Sequence, residues 1–264
     1  MISDSSWYPS LISSITLLKL ACAKANGSLG VLEKKKVDAI VKACNEVLDG
    51  KLADQFPLDV FQAGSGTSTN MNVNEVIGNR ASELLGGEKG DKKVHPNDDV
   101  NKGQSTNNVI PSAIRVASAI DVVGLVEVLS GLEKQFRKKG NAFSSILKSG
   151  RTHLQDAVPI RLGQEFNAYA TAIGKHIPRL KAVQGDLTVL GVGGNAVGTG
   201  LNTSPKFRGL IINYLNKEVP VTFSVSSDGV ESTQFLTDIL ALSSVLKLVA
   251  VDLNKIANDL RLMS

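Results

Sequence analysis

Small hydroxyls, amides and histidine crowd into three short segments of this chain, more densely than packing alone requires. The first is Gly64-Ser65-Gly66-Thr67-Ser68-Thr69-Asn70. Its glycines free backbone amides to approach a ligand, and its hydroxyls can donate to a carboxylate. An ordinary turn and helix N-cap would use the same residues. The second is His95-Pro96-Asn97-Asp98-Asp99-Val100-Asn101, followed by Gln104-Ser105-Thr106-Asn107-Asn108. Ser105, Thr106 and Asn107 precede a long helix containing Pro111, so they stand where free amides and the helix dipole favour an anion. A capping cluster is the alternative. The third runs from Gly150 through Arg151, Thr152, His153, Leu154, Gln155, Asp156, Ala157 and Val158 to Pro159. A lone histidine is more often structural than catalytic. Thr152 and Gln155, however, could fix its tautomer, orient a water or bind an anion.

Other patterns carry less. His95 with Asp98 and Asp99 makes a sparse ligand set, so no metal is expected. His176 lies beside Lys175 on a helical stretch and reads as a surface residue. The glycines from Gly191 to Gly200 imitate a phosphate loop but lack its Lys-Ser/Thr ending. Gly64 to Ser68 fails as a nucleophile elbow because position 67 is Thr.

Helices must position these segments. Leu11, Ile15, Leu18 and Cys22, then Val37, Ile40, Val41, Cys44 and Leu48, recur at helical spacing and predict two helices over 10–50. Polar loops dominate 56–109, with one helix expected from Asn72 to Leu85. Beyond them the helices lengthen: Val122, Leu125, Leu129, Leu132 and Phe136 step by three and four, as do Phe166, Tyr169, Ile173, Ile177, Leu180, Val183 and Leu187. Ile239, Leu242, Leu246, Val249, Leu253, Ile256, Leu260 and Met263 alternate three and four without a miss, a heptad seam typical of long helices packed side by side. That last helix ends at Ser264 without a Gly, Asn or Pro stop signal, as a cut chain does.

Composition sets the outer bounds. The chain has 264 residues, 42% apolar and 20% charged, which is ordinary for a globular protein. Aromatics at 5% argue against a stacking platform for nucleic acid, and no nucleic-acid partner is expected. The net charge of +4 permits an anionic substrate without demanding one. Cys22 and Cys44 form neither a staple nor a metal pattern, so a reduced compartment is expected: the cytoplasm, with the mitochondrion as alternative. No uninterrupted apolar run reaches membrane-spanning length, because Lys19 breaks Leu11 to Ala23; no signal peptide and no membrane association are expected.

The segments also resemble, in order, the signature regions of the fumarase/aspartase superfamily, and its class II fumarate hydratases in particular. The resemblance is carried by Gly64-Ser65-Gly66-Thr67 with Asn70 to Ile77, by His95 to Asn101 with Gln104 to Asn107, and by Gly150 to Pro159 with Leu162 to Phe166. Ala196 to Asn202 and Asn258 to Ser264 complete it. It implies an all-α fold, with a small helical domain over 1–104 and an incomplete central bundle over 105–264. It implies reversible hydration of fumarate to malate by anti-addition, no cofactor, no metal and a homotetramer whose active sites are shared among subunits. By the same resemblance Ser65, Gly66, Thr67, Ser105, Thr106, Asn107 and Thr152 bind substrate carboxylates, and His153 acts through a water at the leaving-group side. Lys92, His95, Asn97 and Asp98 match a second anion site; an arginine is commoner at 92.

Departures accompany the match. Asn108 stands where Asp is usual, Ala63 and Asn195 where Thr is common. The opening Tyr-Tyr-Gly segment is absent, as is the Gly-Ser-Ser-x-Met-Pro-x-Lys-x-Asn loop that holds the family's serine base. The 264 residues alone are therefore expected to be a partial, inactive enzyme. Aspartate ammonia-lyase and a non-catalytic helical assembly fragment are the alternative readings.

Overall fold

The computed structural model describes residue 3, residues 5–62 and residues 66–263. Helix α1 (Pro9–Ser28) opens with proline at its first position, where the missing N–H is not needed. Helix α2 (Lys34–Leu48) buries the stripe Ile40, Ala43, Cys44 and Val47. It closes on Gly50 at φ 76°, with Gly50 N–H to Val47 O at 2.9 Å and Lys51 N–H to Glu46 O at 3.0 Å. That pair of bonds satisfies the last carbonyls only because glycine accepts the left-handed conformation. Helix α3 (Thr67–Leu84) begins earlier than the sequence pattern suggests. A five-residue π-helical turn (Pro96–Val100) then leads into α4 (Thr106–Ala142).

The third polar segment is where the sequence reading changes most. It forms an antiparallel hairpin, β1 (Leu147–Thr152) and β2 (Gln155–Arg161), in a region read only for its motif. Two helices follow instead of one, α5 (Leu162–Gly174) and α6 (His176–Leu187), broken at Lys175. A two-residue strand β3 (Val189–Leu190), helix α7 (Phe207–Leu215), its parallel partner β4 (Ser224–Val225), α8 (Gly229–Gln234) and α9 (Thr237–Met263) complete the order. The architecture is all-α with minor strands, as the helical periodicity requires.

The chain divides into two compact units, Met1–Ile120 with Leu187–Leu236, and Asp121–Asp186 with Thr237–Ser264. The 104/105 boundary drawn from sequence falls inside the first, at the entrance to α4. In that first unit α1 is the central element, packed on α2, α3 and α7 with Ile15, Leu18, Ala21, Cys22 and Ala25 fully buried. In the second, Phe136, Phe143, Phe166 and Tyr169 form a ring cluster with centroids 5.1–6.3 Å apart. There α9 buries Leu242, Val249 and Ile256, one residue in every seven. The other half of its heptad seam is only partly covered: Leu246 and Leu260 are exposed, while Ile239 and Leu253 are half-buried.

One sequence expectation is corrected. His176 is 1% exposed, not at the surface, and its Nε2 lies 2.7 Å from Asp252 on α9. Helix α4 also holds an 18-residue window apolar enough by composition to cross a membrane, although no uninterrupted apolar run does. Arg115 lies within this helix, yet the side chain is 3% exposed because it donates to Ser232 O at 3.1 Å and Phe235 O at 2.9 Å. A core helix passes the same test of composition, and Val109, Ala113 and Val116 are fully buried.

Candidate active site

Several of the expected site residues gather in the first unit around an open cavity of about 870 Å³. Gly66, Thr106 and Asn107 line it, together with Trp7, Ile110 and Pro111. Gly66 precedes α3 at φ 74°, and a Cβ there would stand 3.1 Å from Ile110. Both facts call for glycine: a side chain would be strained by the backbone and would press on the cavity wall. Thr67, the first residue of α3, is exposed. Ser65 falls outside the described residues, as do Ala63 and Gly64.

Ser105 starts α4 much as an N-cap does. Its Oγ accepts from Asn107 N–H at 3.3 Å, and its carbonyl accepts from Val109 N–H at 3.0 Å. The capping reading is realised by this geometry, and the same helix terminus is where the dipole would favour an anion. Thr106 Oγ1 accepts from Asn70 Nδ2 at 3.0 Å. Among the described residues its own proton is left to donate elsewhere. Asn107 Nδ2 donates to Ala196 O at 3.1 Å, holding the amide against the 191–200 glycine loop. That loop is a wall of the cavity.

The polar floor beneath Thr106 was not read from sequence as part of the site. Lys19 has no exposed surface; its Nζ donates to Asn101 Oδ1 at 2.8 Å and Gln104 Oε1 at 2.9 Å. Burial pushes this ammonium down to about 7 and pushes the Cys22 thiol up to about 12. The available signal was Lys19 itself, a lysine in the middle of an apolar helix. Gln62 was also missed: Nε2 donates to Thr69 Oγ1 at 2.8 Å while Oε1 accepts from Thr69 N–H at 3.2 Å. Asn108, one of the departures, is 1% exposed, and among the described residues neither polar atom of its side chain has a partner.

The residues expected to form a second anion site lie on the same unit. His95 Nδ1 accepts from Asn97 N–H at 3.2 Å and Asp98 N–H at 3.0 Å, capping the π-helical turn. A ring that accepts at Nδ1 carries its proton on Nε2 and is neutral. The Asp98 carboxylate at 3.4 Å is then a neighbour of the ring, not an ion-pair partner. Asp99 anchors the turn, accepting from His95 N–H at 2.7 Å and from Lys36 Nζ at 2.7 Å. Asn97, Asp98 and Lys92 are exposed, and Lys92 has a positive φ of 54°.

Thr152 and His153 belong to the second unit. Thr152 pairs with Gln155 across the hairpin, so His153 and Leu154 alone make the turn, at φ 50° and 61°. Two-residue hairpin turns of this hand favour Asn and Gly, since side chains are crowded at positive φ. A histidine and a leucine here break the local rule, which is common where function sets the residue. Both are exposed. His153 also faces an open cavity of about 740 Å³ with Lys148, Arg151, Glu165, Tyr169 and Asp259. Tyr169 donates to Asp259 Oδ2 at 2.9 Å; burial and that carboxylate hold its hydroxyl well above the usual range. Among the described residues no three His, Cys, Asp or Glu side chains are grouped to hold a metal.

Residues 2–264 match the family described as "Lyase". A class II fumarate hydratase of Halobacterium salinarum is 51% identical over 222 residues, covering 84% of this chain and 47% of that protein. An aspartate ammonia-lyase of Bacillus sp is 44% identical over 258 residues, covering 97% and 55%. Among solved structures, a fumarate lyase:delta crystallin from Brucella melitensis, bound to cobalt, superposes with a TM-score of 0.94 at 43% identity, covering 99% of this chain and 58% of that one. The chain thus spans about half the length of the curated relatives it matches.

Proposed function

The chain belongs to the fumarase/aspartase superfamily of lyases, and from that premise we propose that the protein reversibly hydrates fumarate to malate. The observation that carries this reading is Thr106 at the mouth of α4. Its hydroxyl is satisfied on the inner side by Asn70 and opens onto a cavity shared with Gly66 and Asn107. A carboxylate placed there meets a hydroxyl donor, an amide and the positive end of a 37-residue helix.

In the malate-to-fumarate direction a base takes a proton from the carbon beside a carboxylate. The electron pair passes into that carboxylate as an aci-carboxylate, held by the donors at the helix terminus. The hydroxyl on the neighbouring carbon then leaves as water, with His153 on the leaving-group side. Ser65, Thr67, Ser105 and Thr152 complete the carboxylate contacts in this reading, and Lys92, His95, Asn97 and Asp98 form a separate anion site. The partly uncovered half of the α9 seam supports assembly into a homotetramer, since apolar residues left in water favour a partner helix.

Aspartate ammonia-lyase is the second reading, because relatives of that name match at 44% and 43% identity. His95 favours the hydratase: its ring caps a turn in the His-Pro-Asn-Asp-Asp pattern that resembles fumarases. Turnover of fumarate, malate and aspartate by the purified full-length protein decides. Hydration of fumarate without deamination of aspartate is expected, and the reverse would overturn the proposal.

A further inference from the structure

Lys19 is among the largest fully buried side chains in the described residues, and the reaction as outlined makes no use of it. As an ammonium, its nitrogen has only protons to offer. Both Asn101 Oδ1 and Gln104 Oε1 must therefore face it, at 2.8 and 2.9 Å. Which way an amide points is ordinarily a matter of assignment; here the lysine decides it. With Oδ1 fixed, Asn101 Nδ2 turns to Gln104 O at 3.4 Å and Asn97 Oδ1 at 3.5 Å.

The same polarity continues towards the cavity. Asn70 Nδ2 lies 3.5 Å from Asn101 Oδ1 and donates to Thr106 Oγ1 at 3.0 Å. Asn70 is 1% exposed, so its amide has no solvent to turn to. We propose that Lys19 is a positioning residue for the lyase reaction. Its donor-only nitrogen sets, through Asn101 and Asn70, the direction in which the Thr106 hydroxyl donates to substrate. The inference rests on Thr106 binding a substrate carboxylate, as proposed above.

The physical consequence of losing the lysine is specific. Asn101 and Asn70 become free to reverse, and Asn70 Oδ1, buried without a partner among the described residues, then takes the Thr106 proton. The hydroxyl would present lone pairs to the carboxylate instead of a proton. Loss of the proton would give the nitrogen a lone pair that accepts, so the direction belongs to the ammonium form. Burial pushes its ammonium down to about 7, and Cys22 and Cys44 are the titratable groups acting on it.

The test is a double-mutant cycle in the full-length protein, read as kcat/KM for malate. Lys19→Met keeps an unbranched apolar stem and removes the donors. A drop of about tenfold is expected, the scale of one hydrogen bond to a charged group. In a Thr106→Ala background the same change should cost little, because the hydroxyl it directs is gone. A folded Lys19→Met variant within about twofold of the parent, or losses that simply multiply in the double variant, would overturn the inference. Should Lys19→Met fail to fold, Asn70→Asp decides: an acceptor-only carboxylate draws the Thr106 proton inward, so kcat/KM must fall by a similar factor. If the parent deaminates aspartate instead, the hydratase reading fails separately, and the cycle is read in the same way with aspartate.

Discussion

Thr106 and His153 are expected to act on the same substrate, yet they are held in opposite ways. Thr106 opens a 37-residue helix and rests on a buried network reaching from Asn70 through Asn101 to Lys19. His153 sits at an exposed hairpin tip with a left-handed backbone, φ 50°. The difference teaches that one region is preorganised by burial and the other by backbone geometry. A group fixed by burial loses function when its support changes at a distance, whereas a group on an exposed turn loses it mainly through its own side chain.

The largest effect that would sharpen this contrast is at His153. In the full-length protein His153→Asn should keep the fold and lower turnover by roughly 10²–10⁴, the range for a lost acid–base group. His95→Asn, in the second anion cluster, should leave most turnover intact. Equal losses in a malate assay would mean that the two histidines do not have separate roles.

Gly66 comes next. An alanine there meets both a positive φ and Ile110 at 3.1 Å. Gly66→Ala should lower stability by about 1 kcal/mol or more and raise KM for malate. Denaturant unfolding that shows no loss would indicate that the α3 entrance gives way easily, and that burial does not preorganise this wall.

The smallest effect is a pH dependence of stability. Lys19 has its folded pKa lowered from 10.5 to about 7. Above the folded value the unfolded chain binds the extra proton, so this group favours folding increasingly as pH rises. The contribution is complete above the unfolded pKa and is lost as pH falls back through about 7. Cys22, raised from 9.0 to about 12, acts in the opposite sense above its unfolded value. Urea unfolding between about pH 7 and 8.5, below that value, should show a positive slope in the parent that Lys19→Met lacks. Equal slopes would place the titration elsewhere.

The sequence reading missed where side chains meet across long separations. Asn70, Asn101 and Thr106 were each noticed inside a motif, but Lys19 entered only as an interruption of an apolar stretch. It meets Asn101 across 82 residues, a distance that no local pattern encodes. His176 failed for a related reason. A histidine beside a lysine reads as solvated, whereas Asp252, 76 residues on, satisfies one ring nitrogen and burial follows. The hairpin escaped because Gly150 to Pro159 was read for its chemistry, and its exposed strands carry no alternation of polar and apolar residues.

What the sequence determined by itself was the helical class, the start of α4 at the Ser105-Thr106-Asn107 cluster and the heptad of α9. These follow from periodicity and capping, which act over a few residues. What the tertiary structure alone decided was which half of the α9 seam is covered, which amides face Lys19 and which way Thr106 can donate. Those depend on burial, and burial is settled only when distant segments pack. A buried donor without solvent must take whichever acceptor the fold brings to it.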